Sequence, residues 1–235
     1  MDKNIIYVLV HSPLVGPLTW ALTADHMRGR GLDVLVPVLK DSPEAKEPSW
    51  KQHAKSVSQA LANIPGDTSV TLVAHSGAGP LLPAIRQWFA NPVNAYVFVD
   101  AGIPVNGATR LDLMRSEDPD WAAQFQEYLE GRGMFPTWSS DDLQEVIPDE
   151  GLRKQMMAEI HPRGMDFFTE PIPVFEGWPD AHCAYIKFSS SYEYSAAQAK
   201  QAGWPTYELE AGHFHMLVDP QAVMNMIVEA VKRLT

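Results

Sequence analysis

Ser76 has the setting in which a hydroxyl becomes a nucleophile. It lies in Val70-Thr71-Leu72-Val73-Ala74-His75-Ser76-Gly77-Ala78-Gly79-Pro80. The run Val70–Ala74 reads as a strand buried on both faces, and a helical segment follows at once. A serine between such a strand and helix sits on a sharp, strained turn, which needs small residues two before and two after it. Here they are Ala74 and Ala78. The turn lifts the hydroxyl to the carboxyl end of the sheet and aims the Gly77 N–H at the oxygen of a reacting carbonyl.

A serine hydroxyl attacks poorly until an imidazole takes its proton. His213, in Gly212-His213-Phe214-His215, follows the last expected strand, from which it can reach Ser76 across the top of the sheet. His215 is the rival base. A third loop, His11-Ser12-Pro13-Leu14-Val15-Gly16, ends the first expected strand. Such a loop lies beside the serine turn and can give a second donor to the oxyanion. No His, Cys, Asp or Glu spacing resembles a metal site, and Gly77-Ala78-Gly79 lacks the lysine and hydroxyl residue of a phosphate loop. No metal and no cofactor are expected.

The elements that must hold these residues alternate. Apolar runs at Ile5–Val10, Val34–Leu39, Val70–Ala74 and Ala95–Val99 read as strands. Helical segments at Pro17–Arg30, Ser49–Ile64 and Gly77–Phe89 lie between them. Strand and helix at this spacing make right-handed βαβ units and a parallel sheet. From Ile103 to His182 there is no convincing strand; Asp118–Glu130, Ser140–Ile147 and Glu150–Ile160 read as helices. The alternation resumes with strands at Ala184–Phe188 and Thr206–Leu209, helices at Ser195–Ala202 and Pro220–Leu234, and a loop at Gly212–Val218. The expected organisation is a core of residues 1–102 and 183–235 with an insertion at 103–182.

Composition narrows the partners. The 235 residues carry 18 basic and 29 acidic side chains, a net charge of −11. Residues 103–182 hold 16 of the acids against 6 bases, so nearly all of the imbalance sits in the insertion. Nucleic acid and anionic membranes both need a basic face, so neither is an expected partner. An acidic layer over the site also disfavours anionic substrates. No run approaches the roughly 18 apolar residues that span a bilayer. The single cysteine, Cys183, excludes an internal disulfide and fits a reducing compartment. A cytoplasmic monomer or homodimer acting on a small molecule is expected.

The chain resembles the α/β-hydrolase superfamily from its first core strand to its last helix. The strand order, the Ser76 turn, the His11 loop, the insertion as lid and Gly212-His213-Phe214 all match. The resemblance implies a short α/β-hydrolase fold: a mostly parallel sheet of about six strands, helices on both faces and a helical lid. Two departures bear on the site. Ser12 replaces the usual glycine after the loop histidine, and Pro13, at the donor position, has no N–H. Leu14 or a side chain must then supply the second oxyanion donor. The acid often follows the penultimate strand, where Phe188-Ser189-Ser190-Ser191-Tyr192-Glu193 offers only Glu193. The other known position is the end of the strand after the serine turn, where Val97-Phe98-Val99-Asp100 offers Asp100. Asp100 is favoured, with Glu193 as the alternative.

The resemblance implies a cofactor-independent serine hydrolase acting on a neutral or hydrophobic ester, lactone, thioester or amide through an acyl-enzyme. Ser76, His213 and Asp100 would be catalytic, and Gly77, Leu14, Ser12 and His11 would bind the oxyanion and substrate. The alternatives are a lyase- or cyclase-type enzyme on the same fold and a catalytically silent ligand-binding member. The stretch Val97–Pro104 also resembles plant hydroxynitrile lyases and methyl-ester hydrolases.

Overall fold

A computed structural model describes residues 4–42 and 44–234. Residues 1–3 and 235, the outer ends of the expected core spans, and Pro43 lie outside that description. The elements run β1 (Ile5–Val10), α1 (Leu18–Gly29), β2 (Asp33–Leu35), α2 (Ser49–Leu61), β3 (Ser69–Ser76) and α3 (Leu82–Arg86). Then come β4 (Val93–Ala101), α4 (Arg110–Glu117), α5 (Pro119–Glu130), α6 (Glu150–Ala158) and α7 (Met165–Phe168). The chain closes with β5 (His182–Lys187), α8 (Glu193–Gln201), β6 (Thr206–Glu208), α9 (His215–Val218) and α10 (Pro220–Lys232).

The six strands form one parallel sheet in the order β2-β1-β3-β4-β5-β6. Strand side chains alternate between its faces. Tyr7, Leu9, Val73, Val97, Val99 and Ile186 pack with α1 and α10. Ile6, Val8, Leu72, Ala74, Tyr96, Phe98 and Tyr185 pack with α2, α3 and α8. Burial on both faces is why these strands read as unbroken apolar runs. The chain leaves β1 toward β2 and then returns to build outward from β3. The strand order therefore reverses between β1 and β3, where an open α/β sheet forms a crevice at its carboxyl edge.

Helices α4 to α7 fall between β4 and β5 and form the helical lid. Part of this insertion has its own core of Leu111, Ala122, Phe125, Leu129, Phe167 and Phe168. The rest joins the main core through Leu143, Ile147 and Met156. Polar ties add to this. The Glu159 carboxylate accepts the Leu18 N–H at 2.8 Å, and the Leu14 carbonyl accepts the His161 N–H at 2.9 Å.

Several elements differ from the expected ones, each for a local reason. β2 stops at Leu35 instead of continuing to Leu39, since Pro37 has no N–H for a ladder. The expected Gly77–Phe89 helix is a 3-10 turn at Gly79–Leu81 followed by the five residues of α3; Pro80 and Pro83 remove the N–H groups a longer helix would use. Residues 140–146 form successive turns, with Ser139 and Asp142 bonded reciprocally and Pro148 closing the segment. α4 was not expected. It begins at a capping box in which the Thr109 hydroxyl accepts the Asp112 N–H and the Asp112 carboxylate accepts the Thr109 N–H. The short α9 falls where a loop was expected, and α7 lies in a stretch to which no element was assigned.

One lid-to-core tie is ionic. Arg163 of the lid donates to Asp41 Oδ1 at 2.6 Å, and His53 Nε2 lies 3.3 Å from the same oxygen. Burial pushes the Asp41 carboxyl up, but the His53 ring and the Arg163 guanidinium outweigh it and hold it down to about 2. The unfolded carboxyl titrates near ~3.9. The stability it contributes is therefore whole above about pH 4 and is lost as the pH falls toward the folded value. Asp41→Asn should lower the melting temperature at neutral pH, and the gap to the parent should close as pH drops below about 4. A gap that stays constant across that range would show that the pair contributes nothing through charge.

Candidate active site

β3 delivers Ser76 with φ 57°, a left-handed conformation uncommon for a residue with a side chain. Such a backbone costs ~1–3 kcal/mol and persists where its surroundings over-determine it. They do so here. Gly79, at the start of the following turn, lies so close to β4 that a Cβ there would collide with the Gly102 carbonyl oxygen. On the other side, a Cβ at Gly77 would lie 3.1 Å from Ser12 Oγ. The glycines let the helix start press against both neighbouring strand ends.

β4 delivers Asp100, also at positive φ (44°), with its side chain completely buried. Its Oδ2 accepts the His213 Nδ1–H at 2.7 Å and the Ser189 hydroxyl at 2.7 Å. Its Oδ1 accepts the Phe188 and Ser189 N–H groups at 2.9 and 3.0 Å. Burial raises the Asp100 carboxyl, but His213 and Ser189 outweigh burial, and the net shift is downward. Asp100 is thus an ionised acceptor that fixes the His213 tautomer and leaves Nε2 as the basic nitrogen. Glu193, the alternative acid, is elsewhere. Its side chain is 69% exposed and pairs with Lys187 at 2.5 Å.

The loop after β6 brings His213 to the cavity that Ser76 lines, and His75 pins it. His75 is fully buried, and burial pushes its pKa well down, so the ring is neutral. Its Nε2–H donates to the His213 carbonyl at 2.9 Å, and the two rings lie 4.4 Å apart. Tyr192 also stacks on His213, with centroids 5.4 Å apart and planes 17° from parallel. Its hydroxyl lies 3.0 Å from Ser76 Oγ. Sequence reasoning assigned no role to His75 or Tyr192. The signal for Tyr192 was its place in the turn after β5, where an acid was sought. His215 begins α9 and packs edge-on against Phe188, away from this cluster.

The β1 loop places a side-chain hydroxyl where Pro13 offers no amide. Leu14 N–H points to Ser12 Oγ at 3.4 Å, so the group nearest the Gly77 edge is the Ser12 hydroxyl. Leu14 itself lines the cavity. His11 does not; it is buried behind the loop, where Nδ1 meets the Ser12 carbonyl at 2.8 Å and Nε2 accepts the Leu39 N–H at 3.2 Å. Burial pushes its pKa down to about 4, so it is a neutral strut between β1 and the segment after β2.

Ser76, Gly77, Ser12, Tyr192 and His213 open onto one cavity of about 650 Å³ between sheet edge and lid. Trp121, Phe135, Trp138, Phe167, Phe168 and Phe214 give it aromatic walls, and Arg110, Glu117, Asp118 and Asp142 stand among them. A second hollow of about 400 Å³, lined by α1 and α10 residues such as Asp25 and Gln221, lies away from these groups. Among the described residues, no group of three His, Cys, Asp or Glu side chains is placed to hold a metal, and no helix is long and apolar enough to cross a membrane.

The sequence matches the alpha/beta hydrolase family over residues 7–225. The chain belongs to that family. No curated protein matches it. Among solved structures, an extracellular alpha/beta-hydrolase from a Paenibacillus species is similar, with a TM-score of 0.76, 16% identity and 96% and 98% of the two chains covered. Tomato methylketone synthase I complexed with 2-tridecanone has a TM-score of 0.73 at 16% identity, with both chains covered in full. A pyrethroid hydrolase from Sphingobium faniae has a TM-score of 0.69 at 17% identity, with 97% and 98% covered. At these identities the likeness is one of fold. In this alpha/beta hydrolase the approach of Gly79 to Gly102 holds the serine turn. Gly79→Ala should cost ~1–3 kcal/mol through overpacking against backbone that cannot yield. Denaturant unfolding should show a lower midpoint with an unchanged slope; an unmoved midpoint would mean the contact relaxes freely.

Proposed function

We propose that this alpha/beta hydrolase is a serine hydrolase that cleaves a neutral or hydrophobic ester, lactone, thioester or amide through an acyl-enzyme. The observation that carries this is the Asp100–His213 hydrogen bond of 2.7 Å beside a serine held at φ 57°, all at one sheet edge. His213 Nε2 takes the Ser76 proton as Oγ attacks the acyl carbon, and Asp100 stabilises the imidazolium that forms. The Gly77 N–H and the Ser12 hydroxyl receive the oxyanion. The imidazolium returns its proton to the leaving group, and water then releases the acyl group by the reverse sequence.

The aromatic walls support an apolar substrate, since a cavity of this kind gives affinity by burying carbon surface. The similar protein from Sphingobium faniae is named as a pyrethroid hydrolase. The acidic side chains Glu117, Asp118 and Asp142 on the cavity wall disfavour an anionic one.

Two measurements test these roles. Ser76→Ala should fold as the parent does yet lose ester turnover and labelling by a fluorophosphonate. Retention of most activity would remove Ser76 from the mechanism. Asp100→Asn should lower kcat by up to ~10,000-fold, the scale seen when a triad keeps its geometry but loses its carboxylate. Glu193→Gln should change the rate less than about twofold, as expected for an exposed pair. The reverse pattern would move the acid to the turn after β5.

A further inference from the structure

The cluster holds one hydroxyl that a serine, histidine and aspartate do not require. Tyr192 ends the 3-10 turn Ser190–Tyr192 after β5. The start of that turn is fastened to the acid itself, because the Phe188 and Ser189 amides and the Ser189 hydroxyl all bond Asp100. The tyrosine ring is fixed a second time by stacking on His213. Its Oη lies 3.0 Å from Ser76 Oγ, within hydrogen-bond range of the atom that would attack.

The direction of that bond follows from the chemistry of the two groups. A phenol is the stronger acid and so the better donor. The single Ser76 proton is the one His213 must remove. Burial pushes the Tyr192 pKa up, and the charges of Asp100 and Glu117 push it further, so the phenol keeps its proton. We infer that Tyr192 is a further catalytic residue, whose hydroxyl donates to Ser76 Oγ and stabilises the charge on that oxygen as it attacks and again as it leaves.

In acylation, the Ser76 O–H bond breaks, its proton passes to His213 Nε2, the oxygen pair forms the bond to the acyl carbon and the carbonyl π pair moves onto its oxygen. Return of that pair breaks the bond to the leaving group, which takes the proton from His213. Tyr192 keeps its own proton and shortens its hydrogen bond as charge develops. In deacylation, water gives a proton to His213 Nε2 as its oxygen bonds the acyl carbon. The carbon–oxygen bond then breaks toward Ser76 Oγ, which recovers that proton from His213 while Tyr192 donates as before. This donor acts on the nucleophile, whereas Gly77 and Ser12 face the substrate oxygen. Its effect is therefore independent of the leaving group.

The inference rests on Ser76 being the nucleophile, so the test includes both variants. Tyr192→Phe keeps the ring and its stacking and removes only the hydroxyl. Losing a hydrogen bond to a charged oxygen should slow fluorophosphonate labelling ~10–100-fold. Hydrolysis of aryl and alkyl esters of one acid should fall by that same factor, with the melting temperature unchanged. Labelling and turnover within about twofold of the parent would overturn the inference. So would a deficit that grows with the leaving-group pKa, because the hydroxyl would then serve the departing alcohol. Ser76→Ala separates the two claims. If it keeps its label, the nucleophile is wrong; if it is silent while Tyr192→Phe is unimpaired, only the role of Tyr192 falls.

Discussion

The buried carboxylate of Asp100 is the constraint on which the site depends. Removing one partner from a buried charge costs ~3–5 kcal/mol, because the charge left behind is uncompensated. Asp100 meets that demand with four donors drawn from two other chain segments. One carboxylate thereby joins the end of β4, the turn after β5 and the loop after β6. The position of His213 at the cavity and of Tyr192 beside Ser76 are two consequences of the same charge. The left-handed backbone at both Ser76 and Asp100 is the local strain that this arrangement holds in place.

Pro13 offers no N–H, and the residue before it carries a hydroxyl. Proline closes the turn after β1 without a donor, and the adjacent Ser12 places a hydroxyl against Gly77 instead. The Ser12 oxygen is in turn approached by the Leu14 N–H, which leaves its own proton free to point outward. Behind it, the neutral His11 ties the loop to the chain after β2, where Pro37 has ended strand pairing. This edge of the cavity is thus braced by a side chain that never reaches it.

The lid shows how little a charge count says about an interior. Its net charge of −10 resides mostly on exposed acids, yet its inner surface carries Arg110 and Arg163. Both guanidiniums lie over the Phe167 ring, and they pair with Glu170 and Asp41. Its aromatic residues divide between packing and lining. Phe125 is buried in the lid's own core, while Trp121, Phe135 and Trp138 reach the cavity. Periodicity alone could not separate these roles, since both faces of the insertion are apolar in places.

The sequence by itself determined the parallel sheet, the serine turn and the histidine loop. Each rests on short-range rules: a buried strand is a continuous apolar run, a tight turn demands small neighbours, and a strand ends where proline removes its N–H. It also contained the signals for α4 and for the short β2, in Thr109–Asp112 and Pro37, which a reading by apolar runs passes over. The choice between Asp100 and Glu193, the burial of His11 and His75, and the arrival of Tyr192 at Ser76 belong to the tertiary structure. Those outcomes depend on which strand ends become neighbours and how far each side chain is withdrawn from water. Asp100 and His213 are far apart along the chain. Only the sheet order and the burial of one charge make them partners.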